Sequence, residues 1–281
     1  MAARIQTVDD GRILLDGGAM FGVVPRVLWE KSNPPDESNR ITLGLNCLLV
    51  EGEGYRALID TGVGSKGDER FASMYGLEES GGLPGALASM GLSVDDITHV
   101  INTHLHFDHC GGNTRRGEGG KPEPTFPRAR YVVQKKEWEL ATDASERSQA
   151  SYLLENYLPV KEAGQLDLVE GETEILPGLR LLPTPGHTLG HQSVLVEAED
   201  GPVFYAADLI PTSSHLPLPW IMAYDLHPVD TLETKRRILD RARDEQWRFY
   251  FEHEPGGRPF GDLEWVPTKK GEKPIFRPLP L

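Results

Sequence analysis

The segment from Thr103 to Gly112 constrains the fold of this chain more than any other, because it places three histidines and an aspartate within six positions. The residues just before it, 98–102, include three β-branched side chains and have the character of a buried strand. A strand that ends at such a cluster delivers polar side chains to the edge of a sheet. His104 and His106 are two residues apart, so an extended backbone points both of them to the same side.

The other two polar residues of the cluster predict a metal site with two ions. Asp108 and His109 are adjacent, so their side chains diverge unless the chain turns at Phe107. Diverging ligand pairs suit two ions better than one. Neutral imidazoles and carboxylates are ligands for Zn²⁺, and also for iron, manganese or cobalt. The alternative is a polar loop that happens to be histidine-rich, but three of the nine histidines of the chain occur here.

Further candidate site residues follow other predicted strands. His187 lies in a Pro-Gly-His-Thr turn that holds it outside any regular ladder, which makes it a good fourth ligand. Asp208 ends an apolar strand over 203–207, and this position favours a role in the site. Asp60 ends a strand over 55–59, but a residue in such a place more often accepts backbone N–H bonds and orders its loop.

Composition excludes several classes of function. The chain has 281 residues and a net charge of −14, so nucleic acid is not expected as a partner. Its two cysteines, Cys47 and Cys110, form no disulfide framework. The longest uncharged apolar run, 41–50, is too short to span a bilayer, and no secretory core opens the chain. We therefore expect a cytoplasmic protein with no membrane contact.

The order of predicted elements favours one domain over residues 1–281. Strands and then helices run to about residue 160, and further strands and a helix over 228–246 follow. This rhythm predicts two β-rich layers covered by helices. Helical spacing also extends over 145–158, where an aromatic face indicates core or, less often, the contact of a homodimer. The proline-rich tail is expected to be irregular.

Two apolar segments are candidates for a substrate pocket. The insertion near 210–225 is too apolar for an idle loop and predicts a pocket wall. The glycine-rich loop over 16–25 is either a lid or a buried plug. The expected pocket residues are Phe21, Trp29, Leu218, Trp220 and Met222. They indicate a small-molecule substrate with an apolar part.

Taken together, the ordered pattern of these residues resembles the metallo-β-lactamase superfamily over nearly the whole chain. The resemblance implies an α+β fold, a four-layer αββα sandwich with the site at the sheet edges. By the same resemblance, His104, His106 and His187 would hold a first metal, and Asp108, His109 and His253 a second. Asp208 would bridge the two, and Asp60 would order the ligand loops.

Within the superfamily, the chain looks most like the lactonase and organophosphate-hydrolase branch, which includes the N-acyl homoserine lactonases. It has an aspartate at position 208, where the best-known β-lactamases have a cysteine, and it lacks the flavodoxin domain of the diiron flavoproteins. It departs from many members in the residues that flank His253, which are Glu252 and Glu254. This departure concerns the hydrogen bonds behind the ligands.

The resemblance implies a hydrolase in which two divalent ions, zinc foremost, share a hydroxide that attacks a lactone, ester or phosphotriester. Asp108 would relay a proton to the leaving group, and Tyr224 is a candidate donor to the developing oxyanion. The alternatives are a mononuclear-iron sulfur dioxygenase, a glutathione thioester hydrolase and a scaffold without catalysis.

Overall fold

The chain alternates strands and short helices, and the computed structural model describes residues 2–77, 82–269 and 271–281. In these ranges the strands are β1 (Arg4–Asp16), β2 (Arg40–Gly52), β3 (Tyr55–Ile59), β4 (His99–Ile101), β5 (Thr114–Arg116), β6 (Pro122–Pro124), β7 (Arg130–Gln134), β8 (Leu166–Val169), β9 (Thr173–Leu176), β10 (Leu179–Pro183), β11 (Gln192–Ala198), β12 (Gly201–Tyr205), β13 (Arg248–Tyr250), β14 (Phe260–Thr268) and β15 (Gly271–Pro278). The helices are α1 (Gly17–Phe21), α2 (Arg26–Trp29), α3 (Glu69–Tyr75), α4 (Gly82–Ser89), α5 (Phe107–Cys110), α6 (Lys135–Thr142), α7 (Leu158–Glu162) and α8 (Pro228–Asp244).

The strands form two large sheets. The first has the spatial order β1-β2-β3-β4-β7-β8, and the second has the order β15-β14-β13-β12-β11-β10-β9. The pairs β3/β4, β4/β7 and β7/β8 are parallel in the first sheet, and β12/β13 is parallel in the second. Parallel neighbours end at the same edge, so the loops that follow β4, β12 and β13 can meet there.

The inner faces of the two sheets pack against each other and form the central core. Leu48 and Ile59 of the first sheet share a buried cluster with Val194, Val203 and Tyr205 of the second. The outer face of the first sheet is covered by α4 and α7, and the outer face of the second by α8. This arrangement confirms the predicted four-layer αββα sandwich.

The longest helix follows its sequence signals closely. Pro228 occupies the first turn of α8, where its missing N–H costs nothing, and Asp230 lies in the same turn. Arg243 lies in the last turn, where it complements the helix dipole. Ile238 and Leu239 are buried against the second sheet. The predicted helix over 228–246 therefore agrees with α8 to within two residues.

Two predictions about the chain path were wrong. The proline-rich tail is a regular hairpin of β14 and β15, in which Trp265 faces Pro274. Proline is tolerated there because β15 is an edge strand, where a missing donor costs no ladder bond. The segment 145–158 consists of turns and a 3-10 helix over Leu154–Asn156, and the short helix α7 begins at its end. Its aromatic residues Tyr152 and Tyr157 are buried, so this face belongs to the core rather than to a dimer contact.

The loop over 16–25 is mainly a plug. Asp16 accepts the N–H of Ala19 and begins α1, whose residues Met20 and Phe21 are buried. Val23, just beyond the helix, is 92% exposed. In the described part of the chain, no helix combines the length and apolarity needed to cross a bilayer.

Candidate metal centre

Four loops bring the predicted ligands to one edge of the sandwich. His104 and His106 follow β4, and the chain then turns at Phe107 into α5, which carries Asp108 and His109. The turn brings the two ligand pairs together, although on extended backbone they would diverge. From the second sheet come His187 after β10, Asp208 after β12 and His253 after β13.

The first group of side chains consists of His104, His106, His187 and Asp208, whose candidate ligand atoms lie within 4.8 Å of one another. His187 Nε2 lies 3.0 Å from His106 Nδ1 and 3.1 Å from Asp208 Oδ2. His104 Nε2 lies 3.9 Å from the same Asp208 oxygen. All four side chains are buried.

The second group consists of Asp108, His109 and His253, again with candidate ligand atoms within 4.8 Å of one another. His253 Nε2 lies 3.2 Å from His109 Nε2 and 3.8 Å from Asp108 Oδ2. Both imidazoles also face Asp208 Oδ1, at 3.4 Å from His109 and 3.3 Å from His253. Asp208 therefore turns one carboxylate oxygen to each group.

Carboxylates behind His109 fix the orientation of its ring. His109 Nδ1 lies 2.7 Å from Glu252 Oε2 and 3.1 Å from Asp60 Oδ2, so the N–H on this nitrogen points away from the centre. Asp60 also accepts the backbone N–H and the hydroxyl of Thr103, both at 2.7 Å. Asp60 thus bonds both Thr103, which precedes His104, and the outer nitrogen of His109, and it belongs to neither ligand group itself.

Two more histidines are oriented in the same manner. His187 Nδ1 lies 2.9 Å from Asp225 Oδ1, and His253 Nδ1 lies 2.9 Å from the carbonyl oxygen of Gly44. An N–H on Nδ1 satisfies these acceptors and leaves Nε2, which faces Asp208, as the nitrogen that can bind a cation. Such partners keep the rings in the tautomer that metal binding requires.

Burial and neighbouring charges set the protonation of the centre. Burial lowers the pKa of both His104 and His106 well below the usual value, so these imidazoles are neutral at pH 7. Burial opposes ionisation of Asp208, but His109 and His187 hold the pKa of Asp208 well below its usual range. Despite burial, Asp208 raises the pKa of His187, and that of His253 to about 9, so a cation bound here would displace a proton from these two rings. The neutral His104 and His106 beside the ionised Asp208 are suitable ligands for a divalent cation as they stand.

Unpartnered polar atoms supply an independent test of whether a metal fits. His104 Nε2 and Asp208 Oδ1 are buried and make no hydrogen bond. Buried polar atoms without a partner are costly, and a cation bound between the imidazoles and the carboxylate would satisfy them. Both groups therefore fit a metal ion by their chemistry, burial and spacing.

A cavity of about 310 Å³ opens onto this centre. His106, Asp108, Asp208 and His253 form its floor, and Tyr224 lies on its wall. The rest of the wall is mixed, with apolar side chains from β1, α1 and the insertion and polar ones from the turns over 147–151: Leu15, Met20, Met222, Arg147, Ser148 and Ser151.

The predicted pocket residues are only partly brought together. Met222 lines the cavity, but Phe21 is buried beneath it, stacked on Trp29 and on the ring of His215. Leu218 packs against the cluster under α8, and Trp220 meets the edge of Phe21. Of the expected set, Phe21, Trp29, Leu218 and Trp220 support the wall and do not line the cavity, because the insertion folds back onto its neighbours.

Sequence reasoning missed two carboxylates that contact the ligand loops. Asp225 ends the insertion and pairs with His187. Glu137 is fully buried in the first turn of α6, and its carboxylate accepts bonds from both ligand loops. One signal could have revealed Glu137, since it shares the inward face of its helix with Trp138 and Ala141. An acid on an apolar face calls for an explanation.

Comparison with known proteins agrees with this geometry. Residues 41–253 match the model of the metallo-beta-lactamase superfamily. An N-acyl homoserine lactonase from Bacillus sp. is 34% identical over 173 residues, which cover 58% of this chain and 62% of that relative's own length. A probable metal-dependent hydrolase from Staphylococcus aureus superposes with a TM-score of 0.87 at 30% identity, covering 98% of this chain and 97% of that one.

A third similar protein is an N-acyl homoserine lactone hydrolase solved with N-hexanoyl-L-homoserine at its catalytic metal centre. It has a TM-score of 0.70 and 26% identity, and the match covers 91% of this chain and 95% of that one. The chain belongs to the metallo-beta-lactamase superfamily. The predicted resemblance to its lactonase branch is confirmed by these relatives.

Proposed function

We propose that this chain is a dinuclear metal-dependent lactonase that opens the ring of a lactone carrying an apolar acyl chain. The observation that supports this most is the position of Asp208, which faces one ligand group with each of its oxygens. The named activity of the relatives supports the choice of a lactone over an acyclic ester or a phosphotriester. The second ligand group favours a two-metal hydrolase over a mononuclear-iron dioxygenase.

In this proposal, His104, His106 and His187 would hold one divalent cation, Asp108, His109 and His253 would hold the other, and Asp208 would serve as a ligand to both. Zinc suits the ligands best, and iron, manganese or cobalt are also compatible. Two such cations would lower the pKa of water to about 7 and polarise the carbonyl oxygen of the substrate. The chain thus needs no serine or cysteine nucleophile.

The protein groups around the centre handle binding and proton transfer. Asp108 lies on the cavity floor, where its carboxylate can accept a proton and pass it to the leaving alkoxide. Partial burial and the nearby Asp108 carboxylate raise the pKa of Tyr224 to about 12, so its phenol stays protonated and can donate to the developing oxyanion. Met20, Met222 and Leu15 offer an apolar surface for the acyl chain.

A substrate panel tests the proposal. The zinc-loaded protein is assayed by proton release with acyl homoserine lactones of several chain lengths, aryl esters, a paraoxon-type triester and a glutathione thioester. We expect the acyl lactones to have the highest kcat/KM, and to improve with chain length until the cavity is filled. A preference for the triester or the thioester would contradict the proposed substrate class.

Substitution of ligands tests the proposed site. We expect His106→Ala and Asp208→Ala each to reduce turnover by about a thousandfold or more while the fold is kept, because each removes a ligand that no neighbour replaces. His99→Ala is the matched control, since His99 lies in β4, its imidazole bonds Thr98, and it belongs to neither ligand group. Undiminished hydrolysis by either ligand variant would refute the assigned centre.

A further inference from the structure

The first turn of α6 holds a carboxylate that connects the two loops carrying the first ligand group. Glu137 Oε1 accepts the backbone N–H of Leu105 at 3.0 Å, and Leu105 lies between His104 and His106. Glu137 Oε2 accepts the hydroxyl of Thr188 at 2.5 Å, and Thr188 follows His187. One side chain therefore bonds a loop of the first sheet and a loop of the second.

A third donor completes the environment of Glu137. Tyr152 Oη donates to Glu137 Oε1 at 3.0 Å, and the ring of Tyr152 packs against the ring of His106 with centroids 4.8 Å apart. Both carboxylate oxygens are thus occupied by donors that belong to, or touch, the ligand loops. Glu137 itself is completely buried, so water cannot replace these bonds.

The backbone of the 187–190 loop also packs directly against this turn of α6. A Cβ atom at Gly190 would lie 2.2 Å from the backbone nitrogen of Glu137, so only glycine allows the loop to pass this closely. Thr188 and Gly190 therefore contact the same residue, through its side chain and its backbone. A buried carboxylate with these contacts influences the geometry of the ligand histidines that the two loops carry.

We infer that Glu137 is a positioning residue for the first metal: it holds the loops of His104, His106 and His187 at the separation that the cation requires. The inference rests on the proposed function, because it presupposes a metal between these histidines. Glu137 belongs to neither candidate ligand group and is not among the residues that line the cavity. Its effect should be greater on the first ligand group than on the second, since Thr188 belongs only to a loop of the first.

Metal affinity is the direct measurement. The apoprotein is titrated with zinc against a chromophoric chelator to obtain two dissociation constants, and cobalt substitution assigns the sites by their absorption bands. We expect Glu137→Ala to weaken zinc affinity at the first site, whose loops Glu137 bonds, by about tenfold to a hundredfold. Zinc affinity at the second site should fall by much less. Glu137→Gln should stay within about threefold of the natural protein, because its amide oxygen still accepts the Leu105 and Tyr152 bonds.

A pair of tyrosine variants provides the matched control. Tyr152→Phe removes only the hydroxyl that bonds Glu137, whereas Tyr157→Phe removes a hydroxyl of the same buried cluster that bonds the carbonyl of Ala141. We expect a loss of zinc affinity in the first variant and none in the second, although both lose stability. If Glu137→Ala does not fold, this pair decides the question.

Each contrary result has a distinct meaning. Wild-type affinity at both sites in Glu137→Ala, or equal affinities in the two tyrosine variants, would show that Glu137 serves only stability. Equal weakening by Glu137→Gln and Glu137→Ala would overturn positioning by hydrogen bonds in favour of charge. Failure of the natural protein to bind two cations would instead overturn the proposed function, which separates the two conclusions.

Discussion

At the scale of single residues, buried polar side chains define the candidate metal centre. Few arrangements are possible for these side chains, because each buried donor needs a partner. This holds for Asp208, for His104 and for the three histidines whose Nδ1 atoms face an acceptor. The same rule applies to Asp10 of β1. Its Oδ2 accepts the N–H of Gly64, and the carboxylate packs so closely on Gly62 that a Cβ atom there would lie 2.2 Å from it.

Asp10 leads to a prediction about pH. Burial raises the pKa of Asp10 from 3.8 to about 7, although backbone N–H groups of Gly64, Val63 and Leu83 oppose the rise. The folded protein therefore binds a proton on Asp10 more tightly than the unfolded chain does. The stability that this proton contributes below pH 4 is lost as the pH rises towards 7. We expect Asp10→Asn, which stays neutral, to gain roughly 2–4 kcal/mol relative to the natural protein between pH 5 and pH 8.

Urea unfolding of both proteins at several pH values measures this gain. Any metal that binds both proteins equally contributes the same amount to each, so the difference between the two reports Asp10 alone. Parallel stability curves across this range would show that Asp10 ionises normally in the folded state.

At the scale of elements, the insertion near 210–225 is fastened to α8 and to the metal centre at once. Lys235 of α8 donates its ammonium protons to the carbonyl oxygens of His215, Pro217 and Trp220. At its other end, the insertion places Asp225 against His187. The element that carries Met222 and Tyr224 into the cavity is therefore joined to α8 by Lys235 and to a candidate metal ligand by Asp225.

Lys235→Met should loosen the insertion near 210–225 without leaving a cavity in place of the lysine, because methionine fills similar space but donates no hydrogen bond. We expect KM for the preferred lactone to rise by about fivefold or more, and Tm to fall by several degrees. Steady-state kinetics and thermal unfolding measure the two effects. Arg236→Met, at an exposed position of the same helix, should change neither, and a normal KM in Lys235→Met would mean that the insertion holds its position without the lysine.

At the scale of the whole molecule, the candidate centre joins the two halves of the sandwich. His104, His106, Asp108 and His109 come from the first sheet, whereas His187, Asp208 and His253 come from the second. A cation bound by both sets cross-links the sheets at their edge. Ligand binding to the folded state alone stabilises it by mass action, so the proposed metals should contribute to global stability.

Removal of metal tests this coupling. We expect a strong chelator to lower Tm by about 10 °C and to abolish lactone hydrolysis, since a cation at a thousand times its dissociation constant stabilises the fold by about 4 kcal/mol. Added zinc should restore both. The chelator should shift Tm much less in Asp208→Ala, which lacks the bridging ligand. An unchanged Tm in the natural protein would mean that the sheets do not depend on bound metal.

Most of the candidate ligands and the two β-rich layers could be predicted from local sequence patterns, whereas the role of His253 and the four-layer sandwich were implied by the resemblance to the superfamily. The cluster from His104 to His109 and the turn around His187 carry ligand chemistry at readable spacing. The strand periodicity and α8 are likewise encoded in short segments. The prediction of an irregular tail was wrong because proline content alone does not reveal that β15 is an edge strand, where proline is tolerated.

What the sequence by itself determined is the chemistry of this protein: which side chains can bind a cation, which segments are strands, and that two layers of sheet must pack together. Only the tertiary structure decided which buried acids hydrogen-bond the candidate metal ligands or their loops. Glu137, Asp225 and Glu252 acquire their partners from loops 30 to 150 positions away, and such contacts leave no local pattern. The cavity wall was also decided there, because packing directs Met222 inwards and Phe21 beneath it.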